Sequence, residues 1–331
     1  MRKLASVRKI LDIKDIENAD NIQAYKVDGW WVVGKKGEFK VGDSVVYFEI
    51  DSWIPNELAP FLSKGKEPKE YKGIKGERLR TIKLKGQISQ GLIMPNTYNA
   101  EVGEDLTEQL GIIKWEPILN TQGNIKPKGN FPSFIPKTDE ERVQNLVNIL
   151  PTYKEKYKNW NITEKLDGTS MTVYHNEGVV GICSRNLELK IEESNKYTDT
   201  VSELNLLEKL LKLNANIAIQ GELIGPSIQA NKYKLSKPEY RVYKIWDISN
   251  QCYIRWNLVE ELCELLNIPT VSKLSIDYNF LDLDIDKMLE FAEDKSLLNI
   301  TTEREGIVVQ SIDDPNISFK VISNKFLLGE K

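Results

Sequence analysis

A lysine, with a carboxylate two residues on and a glycine after it, lies in Glu164-Lys165-Leu166-Asp167-Gly168-Thr169-Ser170, at the start of a β-type run. An amine is a nucleophile only once it has shed its proton, and from a reference pKa of about 10.4 this costs about 4 kcal/mol at pH about 7.4. The segment therefore does covalent chemistry where its surroundings disfavour the ammonium, and is otherwise a surface turn with a solvated lysine. Other nucleophile chemistries are poorly supplied. His175 is the only histidine, so a zinc site or a Ser-His-Asp arrangement is hard to assemble. Cys183, Cys252 and Cys263 have an odd count and no CxxC spacing, and an intracellular, reducing compartment is the expectation. Catalysis must rest on lysine, arginine and carboxylates.

Five further segments follow the lysine in a fixed order. They are Ser184-Arg185-Asn186, Gly221-Glu222-Leu223-Ile224-Gly225-Pro226, Trp246-Asp247, Glu305-Gly306-Ile307-Val308-Val309 and Ser318-Phe319-Lys320-Val321. This ordered set resembles the covalent nucleotidyltransferase superfamily of ATP-dependent polynucleotide ligases and capping enzymes. Gly221-Glu222, then Gly225-Pro226-Ser227-Ile228-Gln229, then Trp246-Asp247-Ile248 is most similar to ATP-dependent RNA ligases that seal nicks. In the first half, Ala19-Asp20-Asn21-Ile22, Gly29-Trp30, Val41-Gly42-Asp43 and Ser89-Gln90-Gly91 are similar to RNA ligases with an N-terminal OB domain, as is the stretch from Phe131 to Asn145. DNA ligases and capping enzymes place an OB domain after the Lys320-type motif, where only Val321 to Lys331 remain here. The alternatives are a DNA ligase or guanylyltransferase, or a non-catalytic OB-type nucleic-acid binder. Domain order disfavours the first two and the complete lysine motif disfavours the last.

The resemblance implies three transfers at phosphorus: AMP from ATP to Lys165, from lysine to an RNA 5′-phosphate, and attack by a 3′-OH, at nicks in an RNA duplex. It implies ATP and Mg²⁺ or Mn²⁺, with Asp167, Glu222 and Glu305 supplying oxygen ligands directly or through water. The resemblance gives Asp167 the ribose or the hydration shell of the metal to hold, with Gly168 beside it at the nucleotide, although Asp167 could also simply cap a turn. Arg142, Arg185 and Lys320 face phosphates, Trp246 matches the aromatic that stacks on adenine, and Glu164 accepts from the adenine amino group. The second lysine these ligases commonly carry, two positions after the Lys320 type, is Ile322 here, and Lys325 or Arg142 are the candidates to replace its charge.

These residues need two kinds of scaffold. Short β-type runs at Ile22 to Val27, Trp30 to Lys35, Ser44 to Ile50, Leu79 to Lys85 and Gly91 to Met94 predict an OB-like β-barrel over residues 1–105. Residues 106–130, rich in Gly, Pro, Asn and Lys, read as a linker, and 131–331 as the nucleotidyltransferase domain. That domain is expected to be a mixed, largely antiparallel sheet with flanking helices, making the whole chain α+β. Thr138-Asp139-Glu140-Glu141 has capping-box spacing ahead of Val143, Leu146, Val147 and Leu150, which predicts a helix at its start. Helices are expected also at Val201 to Leu213, Leu258 to Leu266 and Ile285 to Asp294. With 331 residues, a net charge of -4 and no long apolar run, no membrane span is expected, and RNA must be met by a local basic surface. Lys72, Lys75, Arg78 and Arg80, in a lysine-rich stretch between Leu62 and Gly86 that also holds Tyr71, are the candidates, with one of Trp30 and Trp31 left for base stacking.

Overall fold

Apolar residues at every second position turn one face of a strand inward. Tyr25 and Val27, and Trp30 and Val32, follow that rule, each at most 1% exposed, whereas Val45 to Phe48 are buried on both faces, in two separate clusters. The computed structural model describes residues 3–116, 125, 127–277 and 279–329. Its first strands are β1 (Ala5–Asp15), β2 (Ile22–Val27), β3 (Trp30–Lys35), β4 (Ser44–Phe48) and β5 (Ser52–Pro55). Then come β6 (Lys69–Tyr71), β7 (Ile74–Arg78), β8 (Ile82–Leu84), β9 (Gln87–Ser89), β10 (Leu92–Pro95) and β11 (Ile113–Lys114). One sheet runs β10-β4-β1-β2-β3 and another β11-β5-β7-β6. Gln90 N–H donates to the Trp31 carbonyl and Val33 N–H to Ser89 Oγ, both at 2.9 Å, returning the chain before β10 to β3 and closing the barrel.

Two expectations need correction here. Leu106 and Ile112 are buried in the first unit's core, and β11 pairs with β5, so the expected linker 106–130 begins later than its composition suggested. Its residues 117–124 and 126 lie outside the described residues, and Pro127–Asn130 is already a strand. The run from Leu79 to Lys85 is a strand only over β8, because Leu79 turns into the core while Ile82 to Leu84 form an exposed hairpin with β9.

The first unit is discontinuous. Besides residues up to 116 it takes in Gln144–Asn148 and the chain from Leu327 on. Trp30 Nε1 donates to Asn145 Oδ1 at 2.6 Å, Asn145 Nδ2 donates to Glu49 Oε1 at 2.6 Å, and Leu327 packs against the cluster of Ile10, Tyr25 and Trp30.

The second unit begins with β12 (Pro127–Asn130), β13 (Glu141–Arg142), α1 (Leu150–Lys156), β14 (Trp160–Lys165), β15 (Thr169–Asn176), β16 (Val179–Cys183) and β17 (Leu187–Leu189). It continues with α2 (Lys196–Glu203), α3 (Leu206–Leu213), β18 (Ile217–Ile224), β19 (Glu239–Asp247), β20 (Cys252–Tyr253) and α4 (Trp256–Leu265). The last elements are β21 (Lys273–Asp277), α5 (Ile285–Ala292), β22 (Gly306–Ser311), β23 (Ser318–Ile322) and α6 (Asn324–Gly329). Two sheets result, β12-β17-β16-β15-β18-β19-β20 and β13-β23-β22-β14-β21, antiparallel except for the β13–β23 pair. Helices α2, α3 and α4 bury Val201, Leu206, Leu210 and Val259 in one core with Val173 and Ile219 of the seven-stranded sheet.

The helix expected at Thr138 does not form. Thr138 Oγ1 meets Tyr243 Oη at 2.8 Å and Glu141 Oε1 accepts from Arg142 N–H at 2.8 Å, so neither side chain of the capping box is left to cap a helix; Glu141–Arg142 pairs as a strand, and only a 3-10 turn over Val143–Leu146 follows. The helix expected from Val201 to Leu213 is two helices, broken at Asn205, which takes a left-handed φ of 50°. Among the described residues, no helix is long and apolar enough to cross a membrane.

Candidate active site

Strand pairing gathers the charged residues. β14 ends at Lys165, opposite Gly306 of β22, so the residue just before β22 lies beside the lysine: Glu305 Oε1 is 2.8 Å from Lys165 Nζ. The chain turns through Asp167 and Gly168 into β15, whose Ser170 pairs with Glu222 of β18. Glu222 Oε1 accepts from Gly168 N–H at 3.1 Å. A Cβ at position 168 would lie 2.5 Å from the Leu223 carbonyl oxygen, so only glycine allows the turn to sit this close to β18. Asp167 N–H donates to Tyr233 Oη at 2.6 Å, and the Asp167 carboxylate pairs with Lys232.

These acids set the state of the lysine. Burial pushes the Glu222 carboxyl up to about 8, although Lys165 pulls it back. Burial also raises Glu305, against the attraction of Lys165. For Lys165, burial favours the neutral amine, but Glu305, Glu222 and Asp167 together outweigh it and hold the ammonium above its ordinary value. Its side chain is 26% exposed. At rest Lys165 is protonated, and using its amine as a nucleophile would require another cation to take up the carboxylates.

The donor set is hard oxygen, the chemistry of Mg²⁺ or Mn²⁺. Among the described residues, no three His, Cys, Asp or Glu side chains converge on one point as a metal cage. Asp167, Glu222 and Glu305 surround the lysine instead, an arrangement that fits a cation keeping much of its water shell.

Glu164, 1% exposed, accepts from Leu297 N–H through Oε2 at 3.0 Å, while its buried Oε1 has no hydrogen-bond partner. Burial raises its carboxyl. Arg142 and Lys320 are register partners in the parallel β13–β23 pair, and Lys320 is close enough to counter the charge of Glu305.

The family model of an OB-fold domain matches residues 4–96, and that of RNA ligase matches residues 158–322. Among solved structures, a variant of Naegleria gruberi RNA ligase in the apo form is 41% identical, with a TM-score of 0.92 over 98% of this chain and 97% of that one. A variant of the same ligase with ATP and Mn is 40% identical, with a TM-score of 0.93 over 99% of each chain. The ligase with PPi is 41% identical, with a TM-score of 0.91 over 99% of this chain and 98% of that one. The chain belongs to the RNA ligase family. No curated protein matches it.

Other expected residues of the ligase have contacts of their own. Trp246 is 9% exposed in a cluster with Ile135, Tyr174 and Ile248; its Nε1 donates to the Phe134 carbonyl at 3.1 Å, and its ring meets Tyr253 edge-on at 4.9 Å. Along β18 its partner is Ala218, four residues before Glu222, so these contacts describe a packing residue. Arg185 is exposed and pairs with Asp139 at 2.6 Å. Lys325 pairs with Glu293 at 3.1 Å, which spends its charge away from the three carboxylates.

The residues expected to meet RNA separate too. Arg78 is a correction: it donates to Asp51 at 2.6 and 3.0 Å and stacks 3.7 Å over Trp115, so it fastens the first unit. Tyr71 is buried against Trp53, its Oη tied to Glu116. Lys72 and Arg80 are exposed, and Lys75 is exposed but paired with Glu67 at 2.8 Å. Trp30 is core, whereas Trp31 is half-buried with Lys14 4.3 Å and Lys26 5.5 Å over its ring.

Sequence reasoning missed Gln229, Lys232 and Tyr233, which touch the Lys165 turn, and the cluster of buried Lys244 with half-buried Glu140 and Ser318. Of this loop, only the Gly225 to Gln229 stretch stands out in the sequence; nothing in the spacing marks Lys232 among 45 basic residues.

Proposed function

We propose that this RNA ligase uses ATP to join 3′-OH and 5′-phosphate RNA ends at nicks, through an AMP carried on Lys165. The observation that carries the reading is the Lys165–Glu305 pair enclosed by Glu222 and Asp167, in a chain 40% identical to a ligase solved with ATP and Mn.

In the first transfer, the neutral amine attacks the α-phosphorus. A P–N bond forms, the bond to the bridging oxygen breaks and pyrophosphate leaves, while the ammonium proton passes to solvent or to Glu305, 2.8 Å away. Asp167, Glu222 and Glu305 would hold a divalent cation, which would supply positive charge to offset these acids and the phosphate. Lys320, close enough to counter the charge of Glu305, would add to that charge, and Arg142 is its register neighbour on β13. The unpartnered Glu164 Oε1 suits the exocyclic amino group of adenine; guanine presents a carbonyl there and would leave the acceptor unpaired. AMP then passes to the 5′-phosphate, and attack by the 3′-OH forms the phosphodiester and releases AMP.

The test is incubation with labelled ATP and Mg²⁺ followed by denaturing electrophoresis, with GTP beside it, then sealing of nicked RNA and DNA duplexes. A protein-bound label from ATP alone, with sealing of RNA nicks, is expected. Labelling without sealing of any RNA end would overturn the substrate reading.

A further inference from the structure

The loop between β18 and β19 meets the Lys165 turn with three side chains. Gln229 Nε2 donates to the Gly168 carbonyl at 3.3 Å, Tyr233 Oη accepts from Asp167 N–H at 2.6 Å, and the Lys232 ammonium pairs with the Asp167 carboxylate. Its backbone is unusual: Ser227, Gln229, Ala230, Asn231 and Lys234 all have φ between 43° and 62°, a region that side chains of their handedness adopt only when the surroundings hold them there.

Lys232 is held independently of Asp167. Its carbonyl accepts from Asn299 Nδ2 and from Thr302 Oγ1, each at 2.9 Å, and its ammonium lies 4.1 Å from the centre of the Phe326 ring. Two side chains of the segment that leads to Glu305 thus fix its backbone, and a ring of α6 fixes its charged end. With a third of the side chain exposed, the ammonium has a route away from the carboxylate.

We propose that Lys232 is the resting counter-ion of Asp167 and competes with the divalent cation for this carboxylate. Metal binding and release of Lys232 are then one exchange, so the site loads metal only against the pull of a built-in cation. This rests on the reading of Asp167 as a residue that holds the metal.

Mn²⁺ binding to the full-length protein without nucleotide, followed by the electron paramagnetic resonance of free Mn²⁺, tests it without recourse to activity. Asp167→Asn should weaken binding. Lys232→Met should tighten it by about fivefold or more, and Lys232→Arg should stay close to the parent. In the Asp167→Asn background, Lys232→Met should change nothing, because the carboxylate it competed for is gone. Circular dichroism melts check the fold, and Lys232→Gln makes the same comparison should the methionine prove unstable. Unchanged or weaker Mn²⁺ binding by a folded Lys232 variant overturns the proposal. So does tightening that persists in the Asp167→Asn background, which would mark a long-range charge effect. If Asp167→Asn alone leaves Mn²⁺ affinity untouched, the reading of Asp167 fails, and this proposal fails with it.

Discussion

Lys165 sits in an electrostatic bind that its own strand creates: the pairing that delivers it to Glu305 also makes it a poorer nucleophile until another cation arrives. Lys165→Ala should abolish covalent labelling by ATP yet still seal a pre-adenylated nick, since the last transfer no longer needs the amine; label retained on this variant would place the nucleophile elsewhere. Glu222 gives a second prediction, in stability. Its folded pKa of about 8 lies above the ordinary carboxylate value, so the folded protein keeps a proton that the unfolded chain releases. The stabilisation from this group is complete below the ordinary carboxylate pKa and is lost as pH rises through about 8. Glu222→Gln removes the dependence, so its melting temperature should gain on the parent between about pH 5 and about pH 8.5. Parallel melting temperatures across that range would rule out burial as the cause.

At the scale of the element, what could be read from the chain was what depends on near neighbours. Lys165 and Glu305 stand at or beside strand ends and Lys320 in the middle of a short strand, all in short motifs whose own residues announce the turn or the apolar run, and the alternation around Tyr25 and Trp30 announces the barrel. What could not be read depends on partners far along the chain. Arg78 reads as one more cation in a basic run until Asp51 and Trp115 are brought to it, and Thr138 reads as a helix cap until Tyr243 and Lys244 claim the segment. Trp246 shows the same limit, since an aromatic at a motif position can equally be enclosed by its neighbours. Trp246→Ala should cost about 3–5 kcal/mol of stability in denaturant melts, as for other buried large-to-small changes, with Trp246→Phe milder. A loss of nucleotide binding at unchanged stability would instead restore the stacking role.

For the molecule as a whole, charge and chemistry belong to different stretches of sequence, which makes them separable by experiment. Replacing Lys72, Lys75 and Arg80 with Ala, and leaving Arg78 in place because it holds Trp115, should weaken nick sealing while AMP labelling stays at the parent level. Each phosphate no longer neutralised should flatten the salt dependence of duplex binding by about 0.9 in log–log slope. An unchanged slope would remove this surface from RNA binding. Equal losses in labelling and sealing would tie it to nucleotide transfer.

The broken continuity of the first unit reaches back to how the protein is made. A chain leaves the ribosome from its N-terminus, and domains generally fold as they emerge. Here the barrel appears first but cannot be finished first: Trp30 waits for Asn145, and the cluster around Ile10 and Tyr25 waits for Leu327, which follows the whole of the second unit. Until then one flank of the barrel stays uncovered, and this is the interval in which a nascent chain is open to proteases and to chaperones. Ribosome-bound chains that stop short of Leu327 should therefore be cut within the barrel more readily than the released protein, and chains that stop short of Asn145 more readily still.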